Sequence, residues 1–321
     1  MTPLRVVVVG GGSWGSVFAA LLAERGHEVT LACRDAEQAR AIADSGRNPR
    51  YITDADLSGI TAVGLGEAPI SDAELVVLAV PSRAFREIAG SLPGDAPVLS
   101  LTKGLDPETG SRLSDAVQGR PVAVLSGPNH AEEIAQGLPA AAVISSADHE
   151  LAKRLQHAII SPRFRVYVNS DLVGVELAAA AKNVMALAAG GVDGFEFGDN
   201  AKSALITRGL SEMARLGVAC GARGETFSGL AGMGDLIVTC FSRYSRNRRA
   251  GELIAQGRTP DEAQAEIGMV VEGLTTAPVL RNLARRVGVE LPITEAICEV
   301  LGGTSALELV SGLMSRTPTD E

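Results

Sequence analysis

The stretch Val6-Val7-Val8-Val9-Gly10-Gly11-Gly12-Ser13-Trp14-Gly15 decides how the rest of the chain is read. Four consecutive valines describe a strand buried on both faces, because such strands lack the alternation of half-exposed ones. After the glycines, Trp14, Val17, Phe18, Leu21 and Leu22 fall on one stripe of helical period, ending at Glu24 and Arg25. Gly26 then stops the helix as a C-cap glycine does. Gly10, Gly12 and Gly15 between strand and helix fit the G-x-G-x-x-G turn. The first glycine permits the tight turn, the second lets backbone approach a pyrophosphate, and the third allows close helix–strand packing. The helix start adds free N–H groups and partial positive charge for the phosphates. The stretch therefore predicts a dinucleotide site.

Outward from this turn the first half alternates short valine-rich runs with helical stretches. Runs at 4–9, 29–33, 75–80, 98–102, 122–126, 140–145 and 164–168 read as strands. Strand–helix alternation predicts an α/β fold with a Rossmann-type, doubly wound parallel sheet. From residue 171 the pattern is helical, at 171–189, 201–216, 248–256, 260–267, 275–287 and 293–301. Asp171 and Thr259 are placed as N-caps, the latter before Pro260. The reading is thus a dinucleotide-binding domain at 1–170 and an all-α substrate and catalytic domain at 171–321, in line with about 150 residues per domain.

Composition narrows the function classes. Lys and Arg total 29 against 38 Asp and Glu, a formal charge of −9, which disfavours nucleic acid and anionic membranes as partners. Cys33, Cys220, Cys240 and Cys298 lie far apart with no metal-ligand spacing, as expected of reduced thiols in a cytoplasmic protein without a structural metal. The most apolar long segment, 173–192, carries Glu176, Lys182 and Asn183 in its middle and so argues against membrane insertion.

The next question is which dinucleotide. The second strand ends Cys33-Arg34-Asp35. Arg34 suits a ribose 2′-phosphate, whereas an acid there would take a 2′-hydroxyl. Asp35 is read as the N-cap of the following helix, so NADP(H) is favoured slightly over NAD(H).

Four segments carry candidate chemistry. Lys103, in Ser100-Leu101-Thr102-Lys103-Gly104, follows a strand whose carboxyl edge faces the ligand side of such sheets. Ser126-Gly127-Pro128 ends the next strand in the same way. Lys182 and Asn183 sit midway along an apolar helix, where burial lowers a lysine pKa toward the range useful for proton transfer. Residues 229–239 form a glycine-rich approach to Asp235 and Thr239, followed by Arg243, Arg246, Arg248 and Arg249, a cluster suited to an anion.

With these motifs in hand, the chain closely resembles the bacterial NAD(P)-dependent glycerol-3-phosphate dehydrogenases. The matching motifs are GGGSWG, NPRYI, TKGL, SGP, VELAAAAKNVMALAAG, ALITRGLSEMARLG, GLAGMGDLIVTC, SRNRR and VVEG, spanning residues 10 to 273 in the family's order. The resemblance implies cofactor contacts at Gly10, Gly12, Ser13, Trp14, Gly15, Arg34, Tyr51, Lys103, Ala131, Arg246, Val270 and Glu272. It implies a catalytic group of Lys182, Lys103 and Asp235. Substrate contacts would come from Lys103, Gly127, Asn129, Lys182, Asn183, Asp235, Thr239, Ser245, Arg246 and Asn247. One departure stands out: Asn129-His130 replaces the Ser or Thr then Phe often found after SGP. The implied reaction interconverts dihydroxyacetone phosphate and sn-glycerol 3-phosphate for phospholipid synthesis; a homodimer is expected, and the helical half offers a face for it.

Overall fold

The computed structural model describes residues 2–305 and Leu307. Among them, eight strands form one sheet: β1 (Arg5–Val9), β2 (Glu28–Cys33), β3 (Thr61–Gly64), β4 (Leu75–Leu78), β5 (Val98–Ser100), β6 (Val122–Ser126), β7 (Ala140–Ser145) and β8 (Phe164–Asn169). Their order is β3-β2-β1-β4-β5-β6-β7-β8. The first six follow the 3-2-1-4-5-6 order of dinucleotide-binding sheets, which puts a crevice beyond the carboxyl ends of β1 and β4. Five helices accompany the sheet: α1 (Ser13–Glu24), α2 (Ala36–Ser45), α3 (Ser82–Ser91), α4 (Ala131–Ala135) and α5 (His149–Ile159).

Both faces of the sheet are covered, and β1 shows how. Val6 and Val8 enter one core with Phe18, Leu21 and Leu22 of α1. Val7 and Val9 enter the opposite core with Phe85 and Ala89 of α3. Alternate side chains of one strand thus feed two cores, which is why the strand reads as four valines in a row.

Two features depart from the sequence expectation. β3 is an additional edge strand of four residues, beginning with exposed Thr61. The β6–β7 pair is antiparallel, Val124 facing Ser145, while the other neighbours in the sheet run parallel. A run apolar on both faces carries no mark of direction, so the composition of 140–145 could not reveal the reversal.

The helical domain comprises α6 (Leu172–Gly194), α7 (Gly198–Ala219), α8 (Gly224–Phe227), α9 (Asp235–Phe241), α10 (Arg246–Ala255), α11 (Pro260–Ile267), α12 (Glu272–Val287) and α13 (Pro292–Leu301). Asp171 caps α6 by accepting from Gly174 N, and Thr259 caps α11 in a reciprocal capping box with Glu262. By length and composition α6 could cross a membrane, but 89% of its most apolar window is buried inside the protein. It is the core helix around which the domain is built. A Cβ at Gly190 would strike the Arg248 carbonyl oxygen, and one at Gly251 the Leu187 carbonyl oxygen. These paired glycines let the α6 and α10 backbones touch, bringing the start of α10 beside the middle of α6.

On the sheet side, α6 is fastened through buried Glu176, which accepts from Ser114 N at 3.0 Å and from the Ser114 hydroxyl. Burial pushes Glu176 up to about 7, against the two Ser114 bonds and the nearby Arg112 charge.

Candidate active site

The glycine turn lies at the carboxyl end of β1, in the sheet crevice. The backbone of Gly10 has φ +120°, and its N–H donates to Ala32 O at 2.9 Å. A Cβ at Gly10 would strike the Ala79 carbonyl, and one at Gly15 the Gly10 carbonyl. Gly12 differs, because its Cβ would meet nothing within 4 Å among the described residues. Two glycines are therefore required by the protein's own backbone, while the third faces open space.

The first intrahelical bond of α1 is Ser16 N to Gly12 O, 3.0 Å, so the N–H groups of Ser13, Trp14 and Gly15 precede the ladder. Among the described residues, no side chain caps this helix start. Free donors around a gap beside Gly12 fit a dinucleotide pyrophosphate. The Trp14 ring points elsewhere, packing edge-on to Phe18 (centroids 5.5 Å apart) and against Phe164. At Trp14, then, the backbone is the group available to a cofactor.

The flank of the turn is fixed by Asn48, which opens the NPRYI motif but takes no assigned role from it, and by Gln38, which lies outside the motifs. Asn48 is buried and donates from Nδ2 to Gly11 O and Ser16 Oγ, both at 2.8 Å, and Gln38 Nε2 donates to the same carbonyl at 2.5 Å. Ser13 Oγ donates to Tyr51 O at 3.2 Å, tying the loop after α2 to the start of α1. Arg34 is exposed at the end of β2. Asp35 caps α2, its Oδ1 accepting from Glu37 N and Gln38 N.

Beyond the carboxyl end of β5, three residues far apart in sequence form one charge cluster. Asp235, 2% exposed, begins α9 directly after a π-helical turn, Leu230–Gly234. Lys103 Nζ donates to Asp235 Oδ2 at 2.7 Å, to Asn129 Oδ1 at 3.0 Å and to Gly127 O at 3.2 Å. Lys182 Nζ lies 3.2 Å from Asp235 Oδ1 and donates to Thr239 Oγ1 at 2.8 Å. Thr239 Oγ1 in turn donates to Asp235 O at 2.6 Å. One carboxylate therefore holds two ammonium groups, one from the sheet and one from α6.

The electrostatics follow from burial and charge count. Burial pushes Lys182 down to about 8; Asp235 works against this shift and Lys103 adds to it. Burial alone would raise Asp235, but Lys103 and then Lys182 outweigh it and hold the carboxyl below its usual range. Beside them, burial and then the Lys182 charge push His130 down to about 4, so its ring is neutral at pH 7. Asn129 Nδ2 is buried without a hydrogen-bond partner among the described residues. Such an orphan is costly, about 1–3 kcal/mol, unless a ligand completes it.

The start of α10 closes the other side. Ser245 caps α10, accepting from Arg248 N at 3.2 Å. Asn247 is buried with its amide spent inside the protein: Nδ2 donates to Asn183 Oδ1 at 2.9 Å and Oδ1 accepts from Gly273 N at 2.8 Å. The arginine cluster resolves into separate roles. Arg248 is committed to Asp193, Arg249 to Glu252 and Glu266, and Arg243 to the Tyr244 ring and hydroxyl. Exposed Arg246 instead donates to Val270 O at 2.9 Å and has no carboxylate within ion-pair distance among the described residues. Glu272, opening α12, accepts from Ser82 N at 3.1 Å and Ser82 Oγ at 2.6 Å. Ser82 is a further residue that sequence reading missed, and it ties α12 to the sheet beyond β4. Ala131 is buried at the start of α4, directly after Asn129-His130.

Apart from Ala131 at the start of α4, the sequence candidates fall into three groups. Gly10, Gly12, Ser13, Trp14, Gly15, Arg34 and Tyr51 surround the turn. Lys103, Gly127, Asn129, Lys182, Asp235 and Thr239 share the charge cluster. Ser245, Arg246, Asn247, Val270 and Glu272 form the α10–α12 rim, joined to the cluster through Asn183, which follows Lys182 on α6 and accepts from Asn247 Nδ2.

A switch-point turn open to phosphates, with a buried lysine–aspartate centre where the sheet meets the helical domain, is the arrangement of a dehydrogenase that works with a nicotinamide dinucleotide. Comparison with known proteins narrows the class. Residues 5–152 match the family described as NAD-dependent glycerol-3-phosphate dehydrogenase N-terminus, and residues 171–311 match its C-terminus. The chain belongs to the NAD-dependent glycerol-3-phosphate dehydrogenase family. A glycerol-3-phosphate dehydrogenase [NAD(P)+] from Moorella thermoacetica is 46% identical over 98% of this chain and 97% of that protein. One from Chlorobium phaeobacteroides is 44% identical over 99% of each. The crystal structure of glycerol-3-phosphate dehydrogenase from Coxiella burnetii superposes with a TM-score of 0.94 at 34% identity, covering 98% of this chain and 99% of that one. A ketopantoate reductase from Ralstonia eutropha, at 17% identity and a TM-score of 0.61 over 96% of this chain and 100% of that one, shares the fold.

Proposed function

We propose that this chain interconverts dihydroxyacetone phosphate and sn-glycerol 3-phosphate using NAD(P)H, with NADPH slightly preferred. It acts as a cytoplasmic homodimer, supplies glycerol 3-phosphate for phospholipid synthesis, and engages neither nucleic acid nor membrane. The observation that carries the chemistry is the Asp235 carboxylate bridging Lys103 and Lys182.

The nicotinamide, when bound, gives or takes the hydride at the substrate's central carbon. What the chain must supply is a proton at the adjacent oxygen and a fixed substrate position. With its pKa lowered to about 8, Lys182 is an ammonium at neutral pH yet gives up its proton more readily than an ordinary lysine. Thr239 and Asp235 hold its Nζ in place, and Asp235 keeps the ammonium charged despite burial. Lys103 adds positive field where oxygen charge grows in the reduction. In the reverse direction the neutral Lys182 amine accepts the hydroxyl proton.

Arg246 is the guanidinium placed to take the substrate phosphate, since its fork suits that group. Asn129 Nδ2, orphaned in the protein, is completed by substrate oxygen. Ser13, Trp14 and Gly15 present backbone N–H groups to the pyrophosphate, with Gly10 and Gly12 shaping the turn. Arg34 and Tyr51 bound the adenosine end. Ala131, Val270 and Glu272 lie toward the nicotinamide end, while Gly127, Asn183, Ser245 and Asn247 shape the substrate side.

The test is to follow NADPH and NADH oxidation with dihydroxyacetone phosphate beside a panel of β-keto acids. Turnover confined to the phosphorylated ketone is expected. Faster turnover of a β-keto acid would overturn the substrate assignment.

A further inference from the structure

The motif Asn48-Pro49-Arg50-Tyr51-Ile52 holds an arginine that the functional reading has not used. Arg50 Nη1 lies 3.2 Å from Asp35 Oδ2, and its guanidinium sits over the Tyr51 ring, 5.3 Å from the centroid. Both anchors belong to the adenosine end of the crevice. Asp35 follows Arg34 at the tip of β2, where the group that meets the ribose 2′ position is found in such sheets. Tyr51 is fastened to the turn through its carbonyl and Ser13 Oγ.

Asp35 is the acid that would otherwise select a 2′-hydroxyl, but it is already committed on both oxygens. Oδ1 caps α2 and Oδ2 pairs with Arg50. Arg34 makes no hydrogen bond or ion pair among the described residues. The tip of β2 thus presents one free guanidinium and a second held on an ion pair whose side chains are 56% and 43% exposed. Exposed pairs of this kind contribute little to stability, so Arg50 can transfer to a stronger anion at little cost. A phosphate dianion, which an arginine fork binds bidentately, is such an anion.

We propose that Arg50 is a specificity-determining residue that joins Arg34 in gripping the 2′-phosphate of NADP(H), and that Asp35 parks Arg50 when no 2′-phosphate is present. This inference rests on the NADPH-preferring reading above. It also explains how the same site accepts NAD(H): with Arg50 parked, no arginine charge is left crowding the 2′-hydroxyl except that of exposed Arg34.

Direct binding tests it without recourse to turnover. Titration of 2′,5′-ADP, 5′-AMP, NADPH and NADH onto the full chain is followed by calorimetry or nicotinamide fluorescence. In Arg50→Ala, loss of one charge-assisted bond should weaken 2′,5′-ADP and NADPH about tenfold, and 5′-AMP and NADH less than about threefold. Asp35→Asn keeps a capping oxygen and removes the competing carboxylate, so it should tighten 2′,5′-ADP about two- to threefold. Opposite signs from the two variants cannot come from a shared loss of folding. Equal weakening of 2′,5′-ADP and 5′-AMP in Arg50→Ala, or weaker 2′,5′-ADP binding in Asp35→Asn, would overturn the proposal. If Arg34→Asp abolishes the preference for 2′,5′-ADP while Arg50→Ala leaves it intact, the proposal fails and the NADPH reading stands. Wild-type binding of 2′,5′-ADP no tighter than 5′-AMP would overturn both.

Discussion

The glycine turn follows the carboxyl end of β1 and the lysine–aspartate cluster is reached from the carboxyl end of β5 in the same sheet, yet they are built on opposite principles. The turn is contiguous, made of backbone, and uncharged: its glycines remove side chains so that N–H groups stand free. The cluster comes from residues 103, 182 and 235, is made of side chains, and concentrates three charges out of water. The first binds by leaving space. The second acts by spending the fold's stability on buried charge, because breaking one member of such a group costs about 3–5 kcal/mol. Substitutions should therefore fail differently in the two regions.

The largest expected effect is in the cluster. Lys182→Ala should lower kcat about a thousandfold, within the usual range for removing a general acid, while NADPH still binds. Stopped-flow turnover beside a fluorescence titration checks this, and a parallel loss of cofactor binding would blur the division between the regions.

At the substrate phosphate, Arg246→Ala should raise KM for dihydroxyacetone phosphate about tenfold or more, the worth of one charge-assisted bond, with kcat changed far less. An unchanged KM would remove Arg246 from the phosphate.

Within the turn, Gly12→Ala and Gly15→Ala should part company. Alanine at Gly15 collides with the Gly10 carbonyl and should lower the melting temperature by several degrees. At Gly12 it meets open space, so the melting temperature should move by less than about 2 °C. NADPH affinity should nonetheless fall about tenfold, because the methyl keeps a phosphate from the N–H groups. Equal melting shifts in the two variants would break the distinction.

The smallest effect concerns the tie between the regions. Ser82→Ala removes one side-chain bond to Glu272 but leaves the backbone bond, and should change KM for NADPH no more than about threefold.

How much of this was legible in the sequence follows the same contrast. The β1–turn–α1 unit could be read directly, since strand, turn and helix signals occupy 21 consecutive positions, 6 to 26. β3 escaped because four residues beginning with an exposed threonine carry almost no burial pattern. Residues 229–234 read only as a glycine-rich approach, and they hold a π-helical turn that leads into buried Asp235. A Cβ at Gly232 would strike the Phe227 carbonyl, so that glycine is demanded by packing that no local pattern announces. The cluster itself was legible only through family resemblance. Nothing in the spacing of Lys103 and Asp235, 132 positions apart, says that their charges meet. Likewise, four arginines in a row of seven suggested one anion pocket. Carboxylates elsewhere in the fold claim two of them, Tyr244 takes a third, and Arg246 is the one left without a carboxylate or ring partner among the described residues.

The central claim is that burial and Asp235 set Lys182 as the proton donor. Its most direct test is the pH dependence of single-turnover NADPH oxidation at saturating dihydroxyacetone phosphate. Reduction needs the ammonium form, so the rate should hold below pH 8 and fall as pH rises through about 8, where Lys182 loses its proton. In Lys182→Ala the residual rate should lose that fall. A wild-type rate that stays level through pH 10, or the same fall persisting in Lys182→Ala, would contradict the account.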